Sequence, residues 1–284
     1  MECLNSVSRI NYPAFSIVVV DNGSTDGSPD SIEKWSHLNS PVKLIRNSKN
    51  RGFVAGSNQA MRFALTTLTN YMFLLNNDTI VEPNILTHLV AEAEQDVDIG
   101  MVGPKIYQHG QNLIIDSVGT KTLNWLAQAF LVGHNEKDTG QYDITGDMPY
   151  ITGTALLVKR SVLHTTGLMD EDYFNYFDDY DWGFRACMDG FRLKIVPQAI
   201  IHHKGSKAIG FGSPFYIYHM VRSRILFARK HISLIPFSLL FLPYLFVYRY
   251  IRPIISIIIW QKWDHLRSLH QGIWNGFTTK ITKP

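Results

Sequence analysis

The sequence predicts an α/β fold, in which a mostly parallel sheet is flanked by helices. Along residues 1–104, short runs rich in β-branched and aromatic residues alternate with helical patterns. Strands that alternate with helices favour parallel pairing, with helices on both faces of the sheet. The 284-residue chain is also 45% hydrophobic and 18% charged, so it has the apolar residues that a buried core requires.

Charge and cysteine content exclude several classes of protein. The chain has 27 Lys and Arg against 24 Asp and Glu, a net charge of +3. This charge is too weak to indicate a nucleic-acid partner. Cys3 and Cys187 are far apart in sequence and give neither a disulfide framework nor a zinc-binding spacing. Residues 1–13 are polar and lack the apolar segment of a secretory signal.

Residues 1–104 are predicted to form the first part of the domain. Its strands are expected at residues 15–20, 42–45, 71–75 and 99–103, each a run of mainly apolar residues. Its helices are expected at residues 31–36, 51–68 and 83–95. A Gly-, Ser- and Asp-rich loop, DNGSTDGSPDS, separates the first strand from the first of these helices.

Acidic and amide residues directly follow two of the predicted strands. Asp21 ends the first, and Asn76, Asn77 and Asp78 follow the strand at 71–75. In open α/β sheets, ligands bind at the carboxyl ends of the strands. A carboxylate there can bind a hard divalent cation, which in turn can hold a diphosphate. The alternative is that these residues only form turns, for which Asn and Asp are well suited.

Three segments in order, FSIVVVDNGSTDGS, NRGFVAGSNQA and FLLNNDTIVEP, resemble the nucleotide-binding half of glycosyltransferase family 2 enzymes with the GT-A fold. The resemblance implies that Asp21 holds the nucleoside and that Asp78 is the metal-side carboxylate of the Asp-x-Asp motif. It implies Mg²⁺ or Mn²⁺ as cofactor and a nucleoside-diphosphate sugar as donor. The other implied donor-binding residues are Asn50, Gly52, Phe53, Gly56, Asn58 and Asn76. Asn58 is alternatively a polar helix position that faces water.

One strand of the family pattern is absent from the sequence. The family usually has a strand of the type VSVVIVTYN before the segment that matches residues 1–13. Loss of a central strand is expected to expose unpaired backbone groups and apolar surface. An alternative function follows, that of an inactive, truncated, membrane-bound homologue that binds nucleotide or glycan.

Residues 105–209 are predicted to form the acceptor and catalytic part of the domain. Aromatic residues there interleave six closely spaced carboxylates: Asp170, Glu171, Asp172, Asp178, Asp179 and Asp181. Desolvation and like-charge repulsion in such a cluster tend to raise carboxyl pKa values, which suits a general base. Most acids in a charged run are nevertheless solvated, and we expect this of Asp170, Glu171 and Asp172.

The segment from Phe177 onward resembles the family's Glu-Asp motif, which is followed by a strand and a histidine. The resemblance implies that Asp179 is the catalytic base and that Asp178 takes the place of the family's Glu. It implies that His202 contacts the metal, while the neighbouring His203 receives no role. Gly153 and Asp181 are implied on the acceptor side, although Asp181 is alternatively a helix cap.

Residues 210–284 are predicted to be a membrane-associated helical region. A basic helix with Arg222, Arg224, Arg229 and Lys230 precedes the uncharged stretch 232–248. That stretch is near the lower limit for a membrane-spanning helix, and basic flanks suit anionic lipid. We expect membrane lipid as a partner, at the cytoplasmic face of the cell membrane. The alternative is a buried helical hairpin.

The predicted function is that of an inverting, metal-dependent glycosyltransferase. It would move a sugar from a nucleoside diphosphate to a hydroxyl group of a growing cell-surface glycan or lipid-linked glycan. Among the branches of the family, the chain most resembles rhamnosyltransferase-like enzymes, and rhamnose as the sugar rests on that resemblance alone. A further alternative, a scaffold at the membrane surface, leaves the acidic segment unexplained.

Overall fold

A computed structural model describes residues 1–39, 42–205, 210 and 212–282, and the chain forms two compact units. The first unit consists of Met1–Thr120, Leu131–Glu171 and Asp178–Gly205. The second consists of Lys121–Phe130, Asp172–Phe177 and the described residues after 205. The boundary expected at residue 209 lies outside the described residues. Most of residues 1–104 and 105–209 belong to the first unit.

A seven-stranded sheet forms the centre of the first unit. Its main path runs through Tyr71–Leu75, Ala155–Lys159, Ile99–Gln108, Arg192–His203 and Thr79–Val81. Two short strands extend it, because Ile115–Ser117 pairs with Ile99–Gln108 and Gly146–Asp147 pairs with Arg192–His203. The expected α/β class, a sheet with flanking helices, is confirmed.

The seven-stranded sheet is mixed, which corrects the expectation of mostly parallel pairing. Ile99–Gln108 and Arg192–His203 are parallel, whereas Ala155–Lys159 is antiparallel to both of its neighbours. Thr79–Val81 is also antiparallel to Arg192–His203. The local alternation of strands and helices predicts parallel pairing between neighbours in sequence. It does not predict the direction of Ala155–Lys159, a strand from a distant part of the chain.

A separate two-stranded sheet is formed by Ile17–Asp21 and Val42–Arg46, which pair in parallel. Within the described residues, no strand pairing joins this sheet to Tyr71–Leu75. A further strand pair is formed by Thr120–Leu123 and Gln128–Leu131.

The helices of the first unit are Glu2–Val7, Ser28–Leu38, Phe53–Leu65, Ile85–Ala93, Arg160–Thr165 and Asp178–Met188. Three of them, Ser28–Leu38, Phe53–Leu65 and Ile85–Ala93, lie close to the positions expected at 31–36, 51–68 and 83–95. In Ile85–Ala93, the buried residues Ile85, Leu86, Leu89 and Ala93 share one face, as expected of an amphipathic helix. That face packs on the sheet in the main hydrophobic core, and each fully buried large side chain stabilises the fold by about 2 kcal/mol.

A buried ion pair attaches the segment after the strand pair to the sheet. The Nζ of Lys105, on Ile99–Gln108, lies 2.7 Å from Asp138 Oδ2 and 2.5 Å from Asp143 Oδ1. The hydroxyl of Tyr107 also donates to Asp138 Oδ2. Burial by itself would raise the pKa of Asp138, but the hydrogen bonds from Lys105 and Tyr107 lower it to about 2.

The second unit contains two closely packed helices, Pro214–His231 and Trp263–Thr278. Glycines allow their backbones to approach, since a Cβ at Gly272 would lie 2.7 Å from the carbonyl oxygen of Tyr218. A helical run of α and π turns from Leu234 to Ile259 connects them. Its segments are Leu234–Pro236, Phe237–Phe241, Leu242–Tyr244, Leu245–Ile251 and Arg252–Ile259.

The four basic residues of Pro214–His231 make contacts inside the second unit. Lys230 Nζ lies 2.7 Å from Asp172 Oδ2, and the Lys230 side chain is only 1% exposed. The three arginines donate to backbone carbonyl groups: Arg222 to Asp172, Arg224 to Ala127, and Arg229 to Gly276 and Thr279. The expectation that these cations face anionic lipid is corrected, because they stabilise the packing of their own unit.

We predict that Asp138→Asn destabilises the chain by about 3–5 kcal/mol at neutral pH, because it leaves the buried Lys105 ammonium poorly paired. The control is Asp143→Asn, whose side chain is 62% exposed and whose loss should change stability by about 1 kcal/mol or less. Urea unfolding measures both.

The folded pKa of Asp138 lies below its ordinary value of 3.8, so its stabilising effect is present above pH 4. It decreases as pH falls from about 4 to about 2, and the difference between wild type and Asp138→Asn should shrink over the same interval. Equal destabilisation by Asp138→Asn and Asp143→Asn would contradict the account.

Candidate active site

Asn22 organises the loops at the carboxyl end of the strand Ile17–Asp21. Its Nδ2 donates to the carbonyl of Gly52 over 2.8 Å. Its Oδ1 accepts from the Asn47 side chain and from the backbone N–H of Arg51, each over 3.2 Å. Asn22 was not among the residues predicted from the sequence. Its position directly after the implied nucleoside-binding Asp21, within the Gly-, Ser- and Asp-rich loop, was the available signal.

The implied nucleotide-binding residues cluster around this loop. Asp21 is buried, and both of its carboxylate oxygens lie 3.3 Å from the N–H of Ser24, as in the turn that the sequence left as an alternative. Asn50 Oδ1 accepts from the N–H of Gly52 over 2.8 Å. Gly52 has a φ of +89°, which favours glycine there. A Cβ at Gly56 would lie 3.4 Å from Asn22 Nδ2.

Asn58 joins the helix Phe53–Leu65 to the start of the acidic segment. It is 1% exposed, its Nδ2 donates to the carbonyl of Met169 over 2.8 Å, and its Oδ1 accepts the N–H of Met169 over 3.1 Å. Nδ2 also contacts Glu171 Oε1 at 3.1 Å. The side chain is fully engaged in this contact, so it positions the loop. This placement differs both from the implied donor contact and from a water-facing helix position.

Asp78 and His203 come together on neighbouring strands. His203 Nε2 lies 3.3 Å from Asp78 Oδ2, and His203 Nδ1 lies 2.7 Å from Asp116 Oδ2. Because an ionised carboxylate can only accept hydrogen bonds, Asp116 accepts one from the N–H at Nδ1 of His203. The other ring nitrogen, Nε2, is directed towards Asp78. Neither His203 nor Asp116 was predicted as a site residue from the sequence.

His202 was expected beside Asp78, but the residue that the structure places there is His203. In the antiparallel ladder, His203 is opposite Thr79, the residue after Asp78, and His202 is opposite Ile80. Successive side chains of a strand point to opposite faces, so only one of the two histidines reaches Asp78. His202 instead stacks on Tyr107 and lies 3.4 Å from Glu82 Oε1.

Two buried polar atoms in this cluster lack a well-formed hydrogen bond: Asp78 Oδ1 has no partner, and His203 Nε2 has only its ion-pair contact with Asp78 Oδ2 at 3.3 Å. Such atoms are rare, because leaving them unpaired costs about 1–3 kcal/mol each. An oxygen and an imidazole nitrogen are chemically suitable ligands for a divalent cation. Among the described residues, no group of three or more His, Cys, Asp and Glu is arranged to hold a metal, so any ion here would need ligands from substrate and water.

The electrostatics of the cluster follow from burial and pairing. Burial would lower the pKa of His203, but hydrogen bonds with Asp116 and Asp78 raise it to about 9. The hydrogen bond to His203 lowers the pKa of Asp78, against the opposite effect of burial. Without an ion, the imidazolium of His203 therefore offsets one of the two negative charges of Asp78 and Asp116.

Asp179 lies beside Gly153 at the start of the helix Asp178–Met188. Its Oδ2 accepts from the N–H of Gly153 over 2.8 Å, and its Oδ1 accepts from the N–H of Tyr180 over 2.8 Å. A Cβ at Gly153 would lie 3.6 Å from Asp179 Cβ and 3.7 Å from the ring of Phe53. Desolvation raises the pKa of Asp179, partly opposed by these backbone hydrogen bonds.

Asn76 connects the end of the strand Tyr71–Leu75 to the segment beside Asp179. Its N–H donates to the carbonyl of Thr154 over 3.0 Å, and its own carbonyl accepts from the Thr79 hydroxyl over 2.6 Å. Thr154 follows Gly153 directly. Residues of all three motif regions, Phe53, Asn76 and Asp179, therefore meet at Gly153 and Thr154.

The other two carboxylates of the helix start are buried. Asp181 is 0% exposed and its Oδ2 accepts from Arg185 Nε over 2.7 Å. Arg185 in turn donates to the carbonyls of Thr166 and Leu168. Asp181 therefore stabilises the fold. It lies within the first turn of the helix Asp178–Met188 and does not cap it. Its buried position gives no support for a contact with the acceptor. Asp178 is also buried.

Comparison with known proteins identifies the family. The family model for glycosyl transferase family 2 matches residues 1–167. The chain is 23% identical over 222 residues to N-acetylglucosaminyl-diphospho-decaprenol L-rhamnosyltransferase of Mycobacterium tuberculosis, covering 71% of this chain and 70% of that protein. The expected resemblance to rhamnosyltransferase-like members of the family is confirmed.

Solved structures confirm the fold. A mannosyltransferase from Pyrobaculum calidifontis, in complex with GDP-Man and Mn²⁺, matches with a TM-score of 0.58 and 18% identity, covering 99% of this chain and 72% of that one. GalNAc-T7 with UDP, GalNAc and Mn²⁺ matches with a TM-score of 0.59 and 17% identity, covering 82% of this chain but only 49% of that one. The fold is of the GT-A type, and the chain belongs to glycosyl transferase family 2.

Proposed function

We propose that the chain transfers a sugar from a nucleoside diphosphate to a hydroxyl group, with inversion at the anomeric carbon. The observation that carries the proposal is the meeting of the three motif regions at Gly153 and Thr154. A general-base carboxylate, the implied donor-binding loop and the Asp78–His203 cluster lie on elements that contact one another there. Family membership supports the same reaction class.

Asp179 is the general base in this proposal. Its raised pKa increases its basicity, and its hydrogen bonds with Gly153 and Tyr180 fix the carboxylate. The acceptor oxygen forms a bond to C1 of the sugar while the bond from C1 to the diphosphate oxygen breaks. Asp179 takes the proton that the acceptor hydroxyl loses, so no covalent enzyme intermediate is needed. Asp178 is the second candidate by motif position.

Asp78 and His203 would hold a divalent cation, either Mg²⁺ or Mn²⁺. The unpartnered Asp78 Oδ1 fits such an ion, as does His203 Nε2 in its neutral form, and the imidazole ligand favours Mn²⁺ over Mg²⁺. When bound, the ion would neutralise charge on the leaving diphosphate. Asp116 is a positioning residue, because it fixes the tautomer and orientation of His203. His202 was the implied metal ligand, but it contacts Glu82 and Tyr107 instead of Asp78. We therefore assign the role to His203.

The donor and acceptor are proposed from relatives. The mycobacterial relative is named a rhamnosyltransferase acting on a diphospho-decaprenol-linked sugar, which supports an activated rhamnose as donor and a lipid-linked glycan as acceptor. A lipid-linked acceptor requires the reaction to occur at a membrane, and we place it at the cytoplasmic face. Within the described residues, the helix Leu234–Ile255 is by length and composition apolar enough to cross a bilayer.

We predict that Asp179→Asn lowers turnover on the order of 10²–10⁴-fold, the usual contribution of a general base. Asn has the same size as Asp but can accept only one of the two N–H groups, that of Gly153 or that of Tyr180. Neither residue lies in the implied donor-binding loop, so the affinity for nucleoside diphosphate should be nearly unchanged. Sugar transfer to membrane glycolipid and calorimetric binding of nucleotide measure the two effects.

Asp178→Asn is the comparison variant for this test. If Asp178→Asn abolishes transfer and Asp179→Asn does not, the base is Asp178. If neither variant changes the rate while nucleotide still binds, the chain fits the alternative of an inactive nucleotide-binding homologue.

We predict that His203→Ala and Asp78→Ala abolish Mn²⁺-dependent binding of nucleoside diphosphate, whereas His202→Ala retains it. The two histidines are adjacent on one strand, so each variant is the matched control for the other. Asp116→Ala should weaken Mn²⁺ affinity about 10–100-fold, the typical effect of losing a partner of a metal-bound histidine. Electron paramagnetic resonance measures free Mn²⁺ directly. If His202→Ala loses nucleotide binding while His203→Ala keeps it, His202 is the metal ligand. If the wild type binds nucleotide equally well with and without a chelator, binding does not depend on a metal.

A further inference from the structure

The helical run Leu234–Ile259 has a wide apolar face exposed to solvent. Among its described side chains, nine Leu, Ile, Val and Phe residues are at least 44% exposed: Leu234, Ile235, Leu239, Leu240, Phe246, Val247, Ile251, Ile255 and Ile259. Isolated exposed apolar residues are common, but a continuous surface of this kind marks an interaction site. No acidic residue occurs between 232 and 263, which makes the surface compatible with anionic lipid.

The length of the run permits two arrangements in a membrane. The candidate span Leu234–Ile255 has 22 residues, which is about 33 Å of helix, close to the roughly 30 Å thickness of the hydrocarbon core. Length therefore allows the helix either to cross the bilayer or to lie along its surface. The contacts of the helix decide between these arrangements.

The opposite face of the run packs on its own unit over most of its length. Phe241 and Leu245, four residues apart on one face, are 0% and 1% exposed, and the segment Phe237–Phe241 contacts the turn Asn124–Leu126. Further along, the hydroxyl of Tyr250 lies 2.9 Å from His270 Nε2. Arg252–Ile259 also contacts Trp263–Thr278.

These contacts argue against a crossing, because the helix that packs against Arg252–Ile259 is not apolar. Trp263–Thr278 carries exposed Asp264 and Arg267, and charged side chains in the hydrocarbon core are costly. A crossing helix would take its packed partners into the bilayer or lose them. A helix that lies flat keeps them in water.

We propose that Leu234–Ile259 lies in the plane of the membrane interface, with its exposed face among the lipid acyl chains and its packed face on the second unit. The exposed indole rings of Trp260, Trp263 and Trp274 are suited to the headgroup level. Exposed Arg252 and Lys262 add attraction to anionic lipid. The inference rests on the membrane association proposed above and not on sugar transfer.

Depth-dependent fluorescence quenching tests the proposal on the full chain. Cys3 and Cys187 are replaced by Ser, and single cysteines are introduced as Leu239→Cys, Val247→Cys and Ile255→Cys for labelling with an environment-sensitive fluorophore. These positions are 68%, 51% and 56% exposed. The probes are vesicles of phosphatidylcholine with a minority of phosphatidylglycerol, carrying lipids with quenchers at shallow or deep positions of the acyl chain.

An in-plane helix places all three labels at the same shallow depth, about 5–10 Å below the headgroup boundary. A crossing helix places the label at 247 much deeper than those at 239 and 255, and that profile would overturn the proposal. Labels that stay in water would also overturn it, and would assign the surface to another protein chain. Neither result would bear on the transferase assay, so the two proposals fail separately.

A charge on the exposed face provides an independent measurement. Val247→Glu should lower partitioning into the same vesicles on the order of tenfold or more, because the carboxylate must enter the acyl region. The control is Leu68→Glu on the first unit, an apolar residue that is 99% exposed, which should leave partitioning unchanged. Equal partitioning of both variants would contradict lipid contact by this face.

Discussion

The antiparallel pairing of Thr79 with His203 is the constraint on which the candidate site depends. It brings the end of Arg192–His203 beside Asp78, which directly precedes Thr79. On its other side, Arg192–His203 pairs with Ile99–Gln108, which also pairs with the short strand that carries Asp116. One carboxylate of His203 therefore comes from the residue just before a neighbouring strand, and the other comes from the strand that lies beyond the neighbour on the opposite side. A register shift of one residue would turn His203 to the other face and present His202 to Asp78.

Hydrogen-bond satisfaction separates structural polar residues from candidate functional ones. Asn58 and Asp181 are buried and paired with specific partners, so they stabilise the loops and helix around the site. Asp78 Oδ1 is buried without a partner and His203 Nε2 has only its ion-pair contact with Asp78 Oδ2, and the fold must offset the cost of this arrangement. The rigid core beneath the sheet provides that stability, and a bound ligand would satisfy both atoms.

Local sequence patterns predicted much of the fold and of the site. The strand Tyr71–Leu75 and the positions of Asp21, Asp78, Gly153 and Asp179 followed from short motifs, whose geometry is fixed within a few residues. What the patterns could not predict depends on partners distant in sequence. The choice between His202 and His203 is set by strand register, the contact of Asn58 with Met169 spans 111 residues, and the arginines of Pro214–His231 bind carbonyl groups of separate segments.

The most direct test of the account is anomalous X-ray diffraction from crystals grown with Mn²⁺ and a nucleoside diphosphate. The account predicts a Mn²⁺ peak within coordination distance of Asp78 and His203 Nε2, with the diphosphate oxygens completing the ligand set and His203 Nδ1 still bonded to Asp116. A Mn²⁺ peak bound by His202, or nucleotide bound with no metal at Asp78, would contradict it.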